Sequence, residues 1–198
     1  MNQEQESLAL AFSIAAGVVQ LMGYIVYGKL VKQASVGSWA IWTCSATTDL
    51  AAYACMTEDL SKNFLPATCA VASVVLFARM VWAGKMKWPE HYDWGFFGID
   101  CVITIAWYFT SATVASVLYQ VSTIMSFGPI VRGQMKGTDD RENPLPWGIW
   151  TGAYLLMTIS LFLSYDNWQE LAYPIANLST HLGMFAIALR LKKQGPFA

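Results

Sequence analysis

Residues 38–44 read SWAIWTC, and residues 146–152 read PWGIWTG. Trp39 and Trp147 are 108 residues apart, as are Trp42 and Trp150, and the same interval carries Pro66 onto Pro174. Ahead of the tryptophans, GYIVYG at 23–28 matches GPIVRG at 128–133 at Gly, Ile, Val and Gly, with an interval of 105. The change of three places the extra residues in the 133–146 connection, where loops tolerate insertion. Three landmarks in one order read as a duplicated unit.

Composition says what kind of unit it is. Hydrophobic residues make up 56% of the 198 and charged residues 13%, about half the charged share of a soluble globular protein. Seven apolar runs, 8–28, 38–56, 64–83, 94–110, 112–131, 146–164 and 171–190, fill nearly all of the sequence. Each has the length, about 17–25 residues, that a helix needs to cross ~30 Å of hydrocarbon. The expected fold is therefore all-α and transmembrane, with seven helices in a 3+1+3 arrangement. Residues 1–88 hold the first three-helix unit, 89–111 a linker helix, and 112–198 the second unit. The linker has a physical reason. Three crossings carry the chain from one side to the other, so a second copy in the same orientation needs one extra crossing. Two parallel units then share a pseudo-two-fold axis along the membrane normal, a plan in which the solute site lies at their interface near midplane.

Orientation follows from the basic residues. With the N-terminus outside, Lys29, Lys32, Arg79, Lys85, Lys87, Arg132, Lys136, Arg141, Arg190, Lys192 and Lys193 all fall inside, leaving only Lys62 outside. The positive-inside rule favours that placement, with the C-terminus cytoplasmic. The first span does not read as a signal peptide: its flank MNQEQES is acidic rather than basic, and no small-residue cleavage site follows a short apolar core. Among the tryptophans, Trp39, Trp147, Trp88 and Trp94 are expected at the inner interface as an aromatic belt.

The 3+1+3 plan, together with GYIVYGKLVKQASVGSWAIW and GPIVRGQMKGTDDRENPLPWGIW, resembles the SWEET sugar carriers and the wider PQ-loop superfamily. The chain is similar in more detail to a group of small seven-span proteins of that type. The shared marks are Ser38-Trp39 with Trp42, Asp93 before span 4, Trp107 late in it, and Tyr173-Pro174 with Asn177. The Pro-Gln pair of the PQ loop is replaced by Tyr24-Ile25 and Pro129-Ile130. The resemblance implies a membrane transporter that moves a small polar or aromatic solute by alternating access. It also implies an asparagine in the third helix of each unit beside the solute: Asn177 fits that place in the second unit, whereas its 108-residue counterpart is Cys69, so the halves are chemically unequal there.

Individual residues add chemistry to that plan. An amide such as Asn177 either orients a polar solute in an apolar pocket or bonds to a neighbouring helix. His181 lies one turn on, on the same face, and serves either a proton or a neighbour's donor. Trp42 and Trp150 form a repeated pair that either gates or stacks on the solute, or packs between helices. Asp49 sits deep in span 2, where an ionisable group is by default a candidate for proton coupling. Asp100 in span 4 is expected to pair with Arg79 or Lys85. Gly23, Gly28, Gly128 and Gly133 allow close helix approach or bending. Pro129 deprives the Met125 carbonyl of its usual donor and marks a hinge.

Other classes find little support. No basic stripe or Cys/His finger spacing points to nucleic acid. Cys44, Cys55, Cys69 and Cys101 show no CxxC spacing, so no metal and no disulfide is expected. No clustered His or acidic groups or activated nucleophile suggests an enzyme, and no cofactor is called for. The expected partners are a small-molecule solute and the lipid bilayer, with a homo-oligomer left open. A non-transporting binding or sorting receptor on the same fold remains the alternative.

Overall fold

The computed structural model describes the chain except for residues 1–2, 33, 58, 88–90, 137–141 and 194–198. Six of the seven expected apolar runs each coincide with one helix to within three residues at the C-terminal end, and the run 112–131 is divided between two. α1 covers Gln3–Leu30, α2 Val36–Thr57, α3 Phe64–Trp82, α4 His91–Tyr108, α5 Ala112–Ser126, α6 Gly128–Lys136, α7 Pro144–Leu163 and α8 Trp168–Lys193. Local chemistry sets several of the ends. The Asn143 side chain accepts the Leu145 N–H at 3.0 Å, and Pro144 and Pro146 occupy the first turn of α7, where proline costs nothing. Ser111 caps α5 by accepting the Val114 N–H. Gly84, at φ +64°, stops α3: its N–H reaches the Val81 carbonyl while the Lys85 N–H reaches Met80. A two-residue parallel bridge, Ala34 with Met86 and Ser35 with Lys87, ties the α1–α2 turn to the segment after α3.

The expected fifth span is two helices. α5 ends at Ser126, the chain turns at Phe127, and α6 resumes with the Val131 N–H bonded to the Phe127 carbonyl. Pro129 brings no N–H to the ladder, which weakens the helix beside this interruption. The 24-residue stretch Ala112–Met135 is nonetheless long and apolar enough to cross a membrane, as are α1, α7 and the segment Ser61–Trp82. Four such segments mark an integral membrane protein. α2 and α8 have the length, 22 and 26 residues, with a more polar composition.

Packing neighbours run in a closed circuit: α1 against α3, α3 against α2, α2 against α5, α5 against α8, α8 against α7, and α7 back against α1. α4 packs outside this circuit, on α2 and α5. There the Thr104 and Tyr119 hydroxyls meet at 2.9 Å beside Ile103 and Ala115. The outward surface is rich in large apolar side chains, unlike that of a water-soluble protein. Leu8, Ile14, Val18, Leu21, Val71, Val75, Val102 and Phe162 face outward, whereas Gln20, Asp49, Ser73, Ser116, Gln120, Asn177 and His181 are buried. Lipid solvates the first set, while the second finds partners only between helices.

One expectation is overturned. Trp39 and Trp147 do not form an interfacial belt: they are 2% and 1% exposed, packed with Tyr27, Phe127 and Trp150 in the core. Packing between helices outcompetes the headgroup layer, because facing helices bring the two repeated pairs into one cluster. Trp94 is exposed; Trp88 and the side chain of Asp100, with its expected pairing, lie outside the described residues.

Candidate functional site

The circuit of helices surrounds a partly open cavity of about 60 Å³, room for a few waters. The structure brings Trp42, Asp49, Cys69, Trp150, Asn177 and His181 together on its lining. They come from α2, α3, α7 and α8. The repeat is visible in the walls. Trp39 and Trp147, Trp42 and Trp150, Ala46 and Tyr154, and Cys69 and Asn177 are four pairs 108 residues apart, and all eight residues line the cavity. The two tryptophan pairs also share a geometry. Trp39 and Trp42 have centroids 5.4 Å apart with planes at 74°, and Trp147 and Trp150 are 5.1 Å apart at 77°.

A chain of hydrogen bonds through Gln120 joins two of the lining residues, Asp49 and Asn177. The Gln120 amide donates to Asp49 Oδ2 at 2.8 Å, and Ser116 Oγ donates to Oδ1 at 3.4 Å. The Asn177 amide in turn donates to Gln120 Oε1 at 3.4 Å and to the Tyr173 carbonyl at 3.0 Å. His181 Nδ1 stands 2.7 Å from the Asn177 carbonyl, with its ring against those of Phe127, Trp150 and Tyr154. One connected set thus links α2, α5 and α8. Around Cys69, the repeat counterpart of Asn177, the Gln20 amide donates to Sγ at 3.1 Å, and Tyr154 OH lies 3.3 Å from the same sulfur.

Each of the four indole N–H groups is committed to a protein acceptor. Trp39 donates to Tyr27 OH, Trp42 to Ser126 Oγ, Trp147 to Glu142 Oε2 and Trp150 to the Gln20 carbonyl. Glu142 also accepts from Tyr27 OH at 3.1 Å, so one carboxylate joins Tyr27 and Trp147 beside this group of rings. At the far ends of α2 and α7, the buried Lys62 ammonium pairs with Glu170 at 2.7 Å and with Asp166.

The glycines and the proline serve packing rather than lining; none of the five borders the cavity. A methyl group at Gly23 would overlap the Trp150 indole, and one at Gly28 would come within 2.9 Å of Leu76 Cδ1. Gly128 and Pro129 open α6, and Gly133 is buried within it. The four cysteines are free thiols, and no cluster of three or more metal-ligating groups occurs among the described residues.

Sequence reasoning missed Gln120, the centre of the hydrogen-bond chain, although an amide in the middle of LYQVST was a visible signal. It also missed Tyr24, Tyr154 and Tyr173 as wall residues, and the Lys62–Glu170 pair. The 108-residue interval already joined Lys62 to Glu170, four positions before Pro66 and Pro174. No known family, curated protein or solved structure matches this chain.

Proposed function

We propose that the chain is a seven-span carrier of the SWEET/PQ-loop type, with its N-terminus outside and its C-terminus in the cytoplasm. It passes a small polar or aromatic solute through the central cavity by alternating access between two parallel three-helix units. The observation that carries this reading is the cavity wall, built from four pairs of repeat-related residues. A pocket on a shared axis is what two rocking halves require.

The packing circuit supports the same arrangement. Exchanging α1 with α5, α2 with α7 and α3 with α8 maps the six contacts of the circuit onto one another, whereas the packing of α4 on α2 and α5 has no such counterpart. In this reading the aromatic cluster and the ion pair between repeat-equivalent positions serve as the two gates. Opening one while the other holds exposes the cavity to one side at a time. In this scheme Asn177, Cys69, His181, Trp42 and Trp150 contact the solute. Asp49, held by Gln120, takes up a proton or positive charge during the cycle.

The test is flux. Purified protein in liposomes should release a labelled solute down its gradient from a panel of sugars, nucleosides, amino acids and vitamins, and Asn177→Ala and Trp150→Ala should impair that release. Binding without flux would identify a receptor on the same fold. Unchanged binding in both variants would remove the pocket assignment.

A further inference from the structure

The geometry points to a small organic cation, a quaternary ammonium or protonated amine, as the occupant of the central cavity. This inference rests on the reading of that cavity as the solute site and names the class of solute.

Three features of the wall converge on positive charge. First, its sign: the Asp49 carboxylate lines the cavity, and no Lys or Arg does so among the described residues. Anionic solutes such as phosphates and carboxylates would shed their hydration against a wall of like charge. Second, the material of the wall: Tyr24, Trp42, Trp150, Tyr154 and Tyr173 border the same space. Aromatic faces carry the negative side of a ring quadrupole and attract cations, most strongly where water is excluded. Third, the direction of the donors: the indole N–H groups of Trp42 and Trp150 point to Ser126 Oγ and to the Gln20 carbonyl. An occupant therefore meets ring surface rather than the indole N–H donors that an anion needs.

The carboxylate is also held in place for such a role. Gln120 donates to Asp49 Oδ2 at 2.8 Å and is itself engaged by Asn177 at 3.4 Å. A cation that loses its water on entry finds a fixed charge and fixed ring faces in exchange, without reordering the site. An uncharged solute of the same shape gains the apolar contact but neither electrostatic contribution.

That difference is the test. The full-length chain in detergent micelles is titrated with choline and with its uncharged isostere 3,3-dimethyl-1-butanol, following tryptophan emission and thermal unfolding. Choline should bind saturably and at least about tenfold more tightly than the isostere. Asp49→Asn should weaken choline by roughly tenfold or more and leave the isostere unchanged, Asp49→Glu should retain choline binding, and Trp42→Leu should weaken it. Size-exclusion and circular dichroism profiles establish that each variant is folded; should Asp49→Asn not fold, the choline–isostere comparison and Asp49→Glu decide. Equal affinity for the isostere, no saturable choline binding by the folded protein, or full choline affinity in folded Asp49→Asn would each overturn the inference. Liposome flux keeps the two ideas apart. Choline that binds but does not cross removes the carrier and keeps the cation site. An uncharged solute that crosses independently of Asp49 keeps the carrier and removes the cation site.

Discussion

The Lys62 ammonium stands 2.7 Å from the carboxylate of Glu170, and the two residues are 108 positions apart in the chain. Trp39 and Trp147 are separated by the same interval, as are Cys69 and Asn177. Equivalent positions of the repeat thus carry opposite charges and meet each other. Both side chains are buried, at 2% and 3% exposure, whereas Asp166, the other partner of Lys62, is 70% exposed.

That asymmetry predicts unequal costs. Lys62→Met strands the Glu170 carboxylate in the interior and should destabilise the protein by about 3–5 kcal/mol. Pairing it with Glu170→Leu should recover most of the loss, because no uncompensated charge remains. Asp166→Asn should cost no more than about 1 kcal/mol, since that partner is solvated. Thermal unfolding in detergent separates the three, and a Lys62→Met protein as stable as the native one would remove the ion pair as an anchor.

The glycines differ in what surrounds them. Gly23→Ala forces a methyl into the Trp150 indole, so the helix or the ring must move, at about 1–3 kcal/mol. It should also shift tryptophan emission. Nothing lies within 4 Å of a Cβ at Gly152. Gly152→Ala should therefore be neutral or gain up to about 1 kcal/mol from helix propensity. Equal effects at the two sites would contradict the packing of α7 on α1.

Gln120 holds Asp49 and is held by Asn177. Gln120→Ala removes both links and should cost about 1–3 kcal/mol through unsatisfied buried groups. Ser116→Ala should cost less, as its bond to Asp49 is long at 3.4 Å. Solute binding followed by tryptophan emission should weaken more in Gln120→Ala than in Ser116→Ala. The reverse order would place the weight of the site elsewhere than on the α2–α5–α8 chain.

The proposed orientation has its own readout. Epitope tags at the two ends, probed in intact and permeabilised cells, should react from opposite faces, the N-terminal one outside. Tags reacting from the same side would rule out seven crossings and with them the parallel arrangement of the two units.

The helices were legible in the sequence because each is a local matter: a long apolar run in lipid must satisfy its backbone internally. The runs beginning at 64, 112 and 146 meet observed helices within two residues at that end. The break near Pro129 was legible for the same reason, since a missing N–H acts on its own helix. The repeat marked Trp42, Trp150, Cys69 and Asn177 as corresponding positions, and chemistry within the spans marked Asp49 and His181.

Burial of Trp39 and Trp147, the seating of Trp150 over Gly23, and the central place of Gln120 depend on which helices touch. A side chain's partner across a bundle is set by packing between segments remote in the chain, and residue type alone does not encode it. The amino-acid sequence by itself determined the helical elements, the apolar exterior and the internal repeat. Only the tertiary structure decided that Lys62 meets Glu170, that four indoles turn their N–H groups into the protein, and that one carboxylate faces the ringed cavity, because each of these is a relation between helices.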